Sequence, residues 1–197
     1  IFTLIFLFAS QSLKIDPNFV PLVIGVGASI GSLGALVGAV MAGRLGKRFG
    51  VGPMIIVSMF IASVGGLLLA FNLPPFAIPI PTLNGFVSLP ASLVLMFVLA
   101  SWGGVVYNVN QVSLRQAIVP IKLQGRMNAT MRFLVWGTIP LGGITTGILG
   151  TVYGVGNAIT IAAFGGLFAG FWVLFSPVRN LREIPATPAE SSESITA

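Results

Sequence analysis

Five long apolar runs limit this chain to very few kinds of fold. They are residues 19–42, 53–71, 91–114, 133–152 and 158–177. Each run holds about 20 residues, the length that a helix needs to cross a hydrocarbon core of about 30 Å. Backbone groups within lipid must be hydrogen-bonded inside their own segment, and no run alternates in polarity as a membrane-barrel strand does. The runs therefore predict an all-α membrane protein with five full spans.

The amino-acid composition also restricts which functions this chain can have. Only 7% of the 197 residues are charged, whereas a soluble domain has about 25%. The net charge is +6, but basic residues separated by apolar runs cannot follow a nucleic-acid backbone. The sequence has no His and no Cys, which removes common zinc ligands and the residues of Ser-His-Asp catalysis. We therefore expect no metal, no cofactor, no nucleic-acid partner and no enzymatic activity.

The two ends of the chain differ from the runs between them. Residues 1–9 are apolar but too short to cross a bilayer, so they are interpreted as the end of a truncated sixth helix in a piece of a longer protein. Residues 184–197 contain mainly Pro, Ser, Thr, Glu and Ala and have little to bury. The sequence thus predicts a helix bundle over residues 1–183 and a disordered cytoplasmic tail over residues 184–197.

The basic residues predict which side of the membrane each connection faces. Nine of the ten fall in or beside alternate connections or after the last run: Arg44, Lys47, Arg48, Arg115, Lys122, Arg126, Arg132, Arg179 and Arg182. Cytoplasmic loops carry an excess of Lys and Arg. We therefore expect a multi-pass protein of the cell (inner or plasma) membrane, with residues 73–90 outside and the C-terminus in the cytoplasm.

Polar residues recur along one side of the third run. They are Ser101, Gly104, Asn108, Gln111 and Arg115, at separations of 3, 4, 3 and 4 residues. These separations place all five on one face of a helix. Intramembrane amides are costly unless they are paired or face water. The face therefore lines either an aqueous substrate path or a contact with another helix, and Tyr107 beside it and Trp136 on the fourth run would add aromatic surface to a substrate path.

Glycines four residues apart predict where helices approach closely. The pairs are Gly27/Gly31, Gly34/Gly38, Gly143/Gly147, Gly150/Gly154 and Gly166/Gly170. In lipid, small residues at this spacing let helix backbones come together. On the fourth run, the glycines share a stripe with Trp136 and Pro140, for which tight packing and a role in gating are equally compatible.

A resemblance to a known family begins after the first run. Gly43-Arg44-Leu45-Gly46-Lys47-Arg48-Phe49-Gly50 resembles the cytoplasmic signature G-x-L-a-D-R-x-G-r-k of major facilitator superfamily transporters. In that family the signature follows the second helix of each six-helix half. The resemblance implies a gating loop formed by Gly43, Arg44, Lys47, Arg48 and Gly50. Lys47 stands where the family has an acid, so Arg48 is expected to use a helix C-terminus instead of an ion pair.

A second stretch makes the resemblance more specific. It contains Ser113-Leu114-Arg115-Gln116, Pro120, Leu123, Gly125-Arg126, Asn128-Ala129, Arg132-Phe133-Leu134-Val135-Trp136-Gly137 and Pro140-Leu141-Gly142. This pattern is similar to the tenth-to-eleventh helix region of bacterial macrolide-efflux and enterobactin-exporter members. Arg126, Asn128 and Arg132 then belong to the cytoplasmic loop between those helices. The chain becomes the C-terminal half of a 12-helix fold, with five full transmembrane helices and the end of the seventh.

This resemblance implies a function and its partners. We expect a secondary active transporter, a proton-coupled exporter of drug-like or siderophore-like small molecules that works by alternating access with the missing N-terminal six-helix half. All four acids of this chain (Asp16, Glu183, Glu190 and Glu193) lie outside the runs, so the coupling acid is expected in that other half. The alternatives are a sugar-like nutrient uptake transporter, or a non-transporting membrane scaffold or inactive fragment.

Overall fold

The computed structural model describes residues 4–73, 76–82 and 85–181, and the predicted tail lies outside these residues. The helices are α1 (Ile5–Gln11), α2 (Val20–Phe49), α3 (Val51–Ala70), α4 (Ala91–Ile118), α5 (Ile121–Tyr153) and α6 (Val155–Leu174). Strands β1 (Ala77–Thr82) and β2 (Gly85–Pro90) lie between α3 and α4, and a short 3-10 helix covers Pro177–Asn180. All helices from α2 to α6 are long and apolar enough to cross a membrane, which confirms the predicted all-α membrane fold class.

Two helices continue well past the apolar runs that predicted them. Helix α2 has 30 residues and ends at Phe49, seven residues beyond the run that stops at residue 42. Helix α5 has 33 residues and starts at Ile121, twelve residues before the run that begins at residue 133. A hydropathy profile detects only the apolar part of a helix, which is the part that can lie in the hydrocarbon core. Backbone hydrogen bonds allow the helix to continue into water, where its charged side chains are solvated.

Helices α2 and α4 run parallel, and a row of glycines on α2 lets the two helices pack closely. A Cβ on Gly34 would lie 2.5 Å from the carbonyl oxygen of Val98, and one on Gly38 would lie 3.0 Å from that of Trp102. Two turns further along, Gly46 meets the side chain of Asn110. The two residues of each pair are 64 positions apart, so α2 and α4 keep one register over about three turns. The predicted close approach at Gly34 and Gly38 is confirmed, and α4 is the partner.

Helix α3 returns antiparallel along the other side of α4. Gly103 of α4 faces the backbone of Ser58 and the side chain of Ala62, while Gly65 of α3 faces Met96. Helix α6 then packs on the far side of α3, where Gly166 approaches Ser63. The helices therefore form a continuous layer in the order α2, α4, α3 and α6, held by contacts that only small residues permit.

Helix α5 stands apart from this layer. None of its residues is buried among the described part of the chain, and its main helix neighbour is α6. Gly142 and Gly147 would have open space at an added Cβ, and Gly150 meets only the side chain of Leu4. The glycine stripe predicted on the fourth run thus remains largely uncovered within the described residues. Its last member, Gly154, ends α5 instead of continuing the stripe.

An antiparallel hairpin closes one end of the bundle. Strands β1 and β2 pair in a register that places Ile80 opposite Val87, and both pack against the main apolar cluster. The hydroxyl of Ser92 donates to Asn72 Oδ1 at 2.8 Å and ties the end of α3 to the start of α4. Residues 73–90 contain five prolines, which are incompatible with a continuous helix, but the sequence did not predict strands here.

Two connections between long helices consist of a single glycine. Gly50 joins α2 to α3 with φ 95°, and Gly154 joins α5 to α6 with φ 83°, a conformation that side chains other than glycine rarely adopt. The flanking sequences agree as well: Phe-Gly-Val-Gly at residues 49–52 and Tyr-Gly-Val-Gly at residues 153–156. At both places, glycine lets one long helix end and the next begin within a single residue.

Candidate functional site

The polar face of α4 (Ser101, Gly104, Asn108, Gln111 and Arg115) lies on the less buried side of that helix. Gly104 and Asn108 are exposed, and the other three are partly exposed. By contrast, Val106, Asn110 and Leu114 are buried against the neighbouring helices. The structure thus turns the predicted polar face away from the layer that α4 joins. A face of this kind can offer amide and guanidinium groups to a ligand or to another helix.

Arg115 is the last residue of the polar face and lies near the C-terminal end of α4. The residue is partly exposed, but its Nε is shielded from solvent and has no hydrogen-bond acceptor among the described residues. It stands in the last turn of the helix, where a positive charge is stabilised by the helix dipole. The guanidinium therefore remains available to an anionic group that reaches this end of the face.

Tyr107 borders the polar face of α4 and is partly exposed. It lies about 100° around the helix from Asn108 but only about 40° from Gln111, between the polar face and Leu114. Its ring also packs against the buried cluster of Val51, Ile55 and Leu114. Tyr107 therefore lies at the edge of the polar face and takes part in the contact with α3.

Trp136 is on a different surface from the polar face of α4. It lies on α5 with 72% of its area exposed. Since α5 packs chiefly on α6, the described residues do not bring Trp136 and Asn108 to a common cavity. Trp136 could add aromatic surface to the predicted substrate path only if another part of the protein brought it next to the polar face of α4.

The predicted gating loop is helical over most of its length. Gly43, Arg44, Lys47 and Arg48 all belong to α2, and Gly50 alone forms the connection to α3. The loop assignment was therefore wrong for those four residues, because their backbone groups complete the last turns of the helix. Arg44, Lys47 and Arg48 are exposed, and the guanidinium of Arg48 lies 5.4 Å from the centre of the Phe49 ring. Lys47 and Arg48 lie in the last turn of α2, where their positive charges interact favourably with the helix dipole.

The residues predicted for the next cytoplasmic loop are also helical. Arg126, Asn128 and Arg132 lie in the first part of α5, and the connection from α4 consists of Val119 and Pro120. Proline at the start of a helix fixes the backbone angle that the helix needs. Arg126 and Arg132 are exposed and Asn128 is partly exposed. They form a charged helical extension beyond the apolar run rather than a loop.

The sequence did not single out Asn110, which joins α2 to α4. Only 4% of Asn110 is exposed, its Nδ2 donates to the carbonyl oxygen of Val106 at 2.8 Å, and its Oδ1 lies against Gly46. One signal was present in the sequence: Asn110 is two residues from Asn108 and therefore about 160° away around the helix. This position places the amide on the packed side of α4, opposite Asn108.

The segment after α6 reaches the same region. The backbone N–H of Gly52 donates to the carbonyl oxygen of Leu181 at 2.9 Å, and a Cβ on Gly52 would clash with the carbonyl oxygen of Val178. Val178 and Leu181 also pack against the cluster that holds Tyr107. The segment after α6 therefore fastens the ends of α3 and α4 next to the signature.

Comparison with known proteins identifies the family. The family model described as Major Facilitator Superfamily matches residues 1–196. The chain belongs to the major facilitator superfamily. The search of curated proteins found no match, and the search of solved structures found none. Major facilitator proteins are transporters rather than enzymes. This chain is therefore a multi-pass membrane protein of the secondary-transporter class, and its helices imply a lipid bilayer around it and a small molecule as substrate.

The described residues contain no group of three His, Cys, Asp or Glu side chains that could hold a metal ion. Asp16 is the one carboxylate side chain within the described ranges, and it precedes α2. The arrangement therefore offers hydrogen bonding and positive charge to a ligand.

Proposed function

We propose that this chain is the C-terminal half of a 12-helix exporter related to the macrolide-efflux and enterobactin-exporter members of the superfamily. In this register α1 is the end of the seventh helix and α6 is the twelfth. The observation that carries the proposal is the polar face of α4, which points away from the chain's own helix layer while Asn110 on the opposite side is buried. A polar face of this kind is stable in a membrane when it borders water or another polar surface.

The proposed partner of this face is the N-terminal six-helix half. The two halves would enclose a substrate path between them, and rocking of one half against the other would expose that path to each side in turn. Asn108 and Gln111 would hydrogen-bond the substrate, and Arg115 would favour anionic or zwitterionic molecules. Proton coupling would use an acid of the other half, because the acids of this chain lie outside its five long helices.

The end of α2 has a separate proposed role in gating. Gly43, Arg44, Lys47 and Arg48 belong to the last turns of α2, and the fifth residue of the proposed gate, Gly50, joins α2 to α3. Arg126, Asn128 and Arg132 extend α5 into the same proposed cytoplasmic region. In one conformation, Arg48 would bind the C-terminal end of a helix from the other half, which carries a partial negative charge. Release of that contact would open the cytoplasmic side.

Cellular accumulation of fluorescent drugs tests the direction of transport. Cells that express the protein from its complete gene should retain less of an amphipathic drug than cells in which the gene is disrupted, and a protonophore should abolish the difference. Higher retention in the expressing cells would indicate uptake and contradict export. Equal retention over a panel of amphipathic drugs and siderophores would support a scaffold and contradict transport of these classes.

Thiol labelling tests the proposed orientation, and the cysteine-free sequence makes it direct. Ser88→Cys on β2 and Arg126→Cys on α5 replace exposed side chains at opposite ends of the bundle. A membrane-impermeant maleimide added to intact cells is expected to label Ser88→Cys and not Arg126→Cys, while both are labelled after permeabilisation. Labelling of Arg126→Cys alone in intact cells would reverse the proposed topology.

A further inference from the structure

The first turn of α3 is capped by a segment from the other end of the chain. Gly50 precedes α3, and among the described residues no side chain caps this helix start. Gly52 is buried there, so its backbone N–H would be costly to leave without an acceptor. The carbonyl oxygen of Leu181 accepts this hydrogen bond at 2.9 Å. The start of α3 therefore depends on a residue that lies after the last long helix.

The segment that supplies this acceptor, residues 176–181, is called the strap here and holds its own shape. The backbone N–H groups of Arg179 and Leu181 donate to the carbonyl oxygens of Ser176 and Val178, at 3.2 and 3.1 Å. The backbone at Ser176 is extended, so the strap is connected to α6 through a non-helical residue. If the strap turned about Ser176, it would keep these internal hydrogen bonds and lose the one to Gly52.

The strap fits the start of α3 through its backbone. A Cβ on Gly52 would clash with the carbonyl oxygen of Val178 and would lie 3.1 Å from that of Leu181, so the strap needs glycine at this position to close. The side chains of Val178 and Leu181 are partly exposed. They cover the apolar cluster between α3 and α4, which consists of Val51, Ile55 and Leu114. The closed strap thus covers the contact between these two helix ends.

This attachment is weak compared with the helix contacts around it. One hydrogen bond and two partly exposed side chains hold the strap on α3 within the described residues. Segments that move in proteins are those whose local opening costs little free energy. The cluster under the strap also packs against Tyr107, which borders the polar face of α4. Opening of the strap would therefore loosen α4 next to the polar face, while every long helix stays folded.

We propose that the strap is a latch, which is closed in this structure and opens during the transport cycle. When closed, it caps α3 and holds the end of α4 against α3. When open, it frees that end of α4 to move on the proposed cytoplasmic side. The role in transport rests on the proposed function, because alternating access requires the substrate path to change at this end. The opening itself is a property of the chain and can be measured without substrate.

Thiol labelling measures the opening of the strap, because the sequence has no cysteine. Val51→Cys places a thiol in the covered cluster, at a residue that is 4% exposed. Gly52→Ala displaces the strap by the clash with Val178, while alanine is the better helix former and preserves α3. In proteoliposomes, addition of Gly52→Ala should make the reaction of Val51→Cys with N-ethylmaleimide about tenfold faster.

Two controls separate local opening from general loosening. Gly165→Ala on α6 adds the same methyl group where nothing lies within 4 Å, and should change the rate by less than about twofold. Ser58→Cys places the thiol at a fully buried position of α3, about two turns from the strap, and Gly52→Ala should not accelerate its labelling. An unchanged rate at Val51→Cys, or equal acceleration at Ser58→Cys, would overturn the latch.

A reversible crosslink tests whether transport needs the opening. Val51→Cys/Leu181→Cys is made in the full-length protein, with any cysteines of the other half replaced, and is joined by a short bifunctional methanethiosulfonate. Crosslinking should reduce drug transport in proteoliposomes about fivefold or more, and a reductant should restore it. Equal transport by the crosslinked and reduced forms would overturn the role of the latch in transport. Absence of transport by the protein without these substitutions would contradict the proposed function instead, and labelling of Val51→Cys would still decide whether the strap opens.

Discussion

Replacing Gly34 by leucine is expected to separate α2 from α4 and to destabilise the bundle by roughly 3 kcal/mol or more. A Cβ at this position would lie 2.5 Å from the carbonyl oxygen of Val98. The obstacle is backbone, so no side chain can rotate away, and α2 would have to move outward as a unit. The resulting gap would remove the contacts at Gly38 and Gly46 as well. Unfolding by SDS in mixed micelles, followed by circular dichroism, measures the loss.

The control for this substitution is available on the same helix. A Cβ on Gly25 meets nothing within 4 Å, so Gly25→Leu adds the same side chain without a clash. Its unfolding midpoint should remain close to that of the unmodified chain, since leucine is also the better helix former. Equal destabilisation by Gly34→Leu and Gly25→Leu would show that the parallel contact of α2 with α4 does not hold the bundle together.

Replacing Asn108 and Gln111 together by leucine is expected to reduce transport at least tenfold while the protein still folds. Asn108 is exposed and Gln111 partly exposed, and neither makes a side-chain hydrogen bond within the described residues, so leucine removes a desolvation cost and no described contact. The loss would come from the missing hydrogen bonds to substrate. The measurement is drug efflux by the protein expressed from its complete gene, normalised to the amount in the membrane.

Asn110 provides the matched comparison, because it is the same residue type two positions away. Asn110→Leu should lower stability, since the buried amide packs against Gly46 and donates to Val106. We therefore expect less protein in the membrane for this variant, with efflux per molecule much less affected. Normal efflux by the well-folded Asn108→Leu/Gln111→Leu variant would remove the polar face of α4 from the substrate path.

The spacing of polar residues along α4 predicted which side of this helix stays open. Separations of three and four residues placed Asn108 and Gln111 on one face, and the structure leaves that face open. Tyr107 borders this face about 40° from Gln111, and its ring also packs with Leu114. The spacing alone did not show that second contact, because the contact depends on where α3 lies.

The ends of the helices illustrate a second difference. Arg44, Arg48 and Arg126 were assigned to loops because charged residues leave the hydrocarbon, but a helix does not have to end where the lipid does. Only the structure shows that α2 continues to Phe49 and that α5 begins directly after Pro120. Glycine at a positive φ and proline at a helix start are the residues that set these ends.

The sequence by itself determined that this protein lies in a membrane, that it has five long helices, and that one face of α4 is too polar to face lipid. These features follow from composition and residue spacing, which set the free energy of moving each segment from water into lipid. Which helix packs on which was decided only by the tertiary structure. Apolar side chains gain almost nothing by exchanging lipid for one another, so hydropathy treats all apolar faces alike. Shape makes the choice, because Gly34, Gly38 and Gly46 fit the surface of α4.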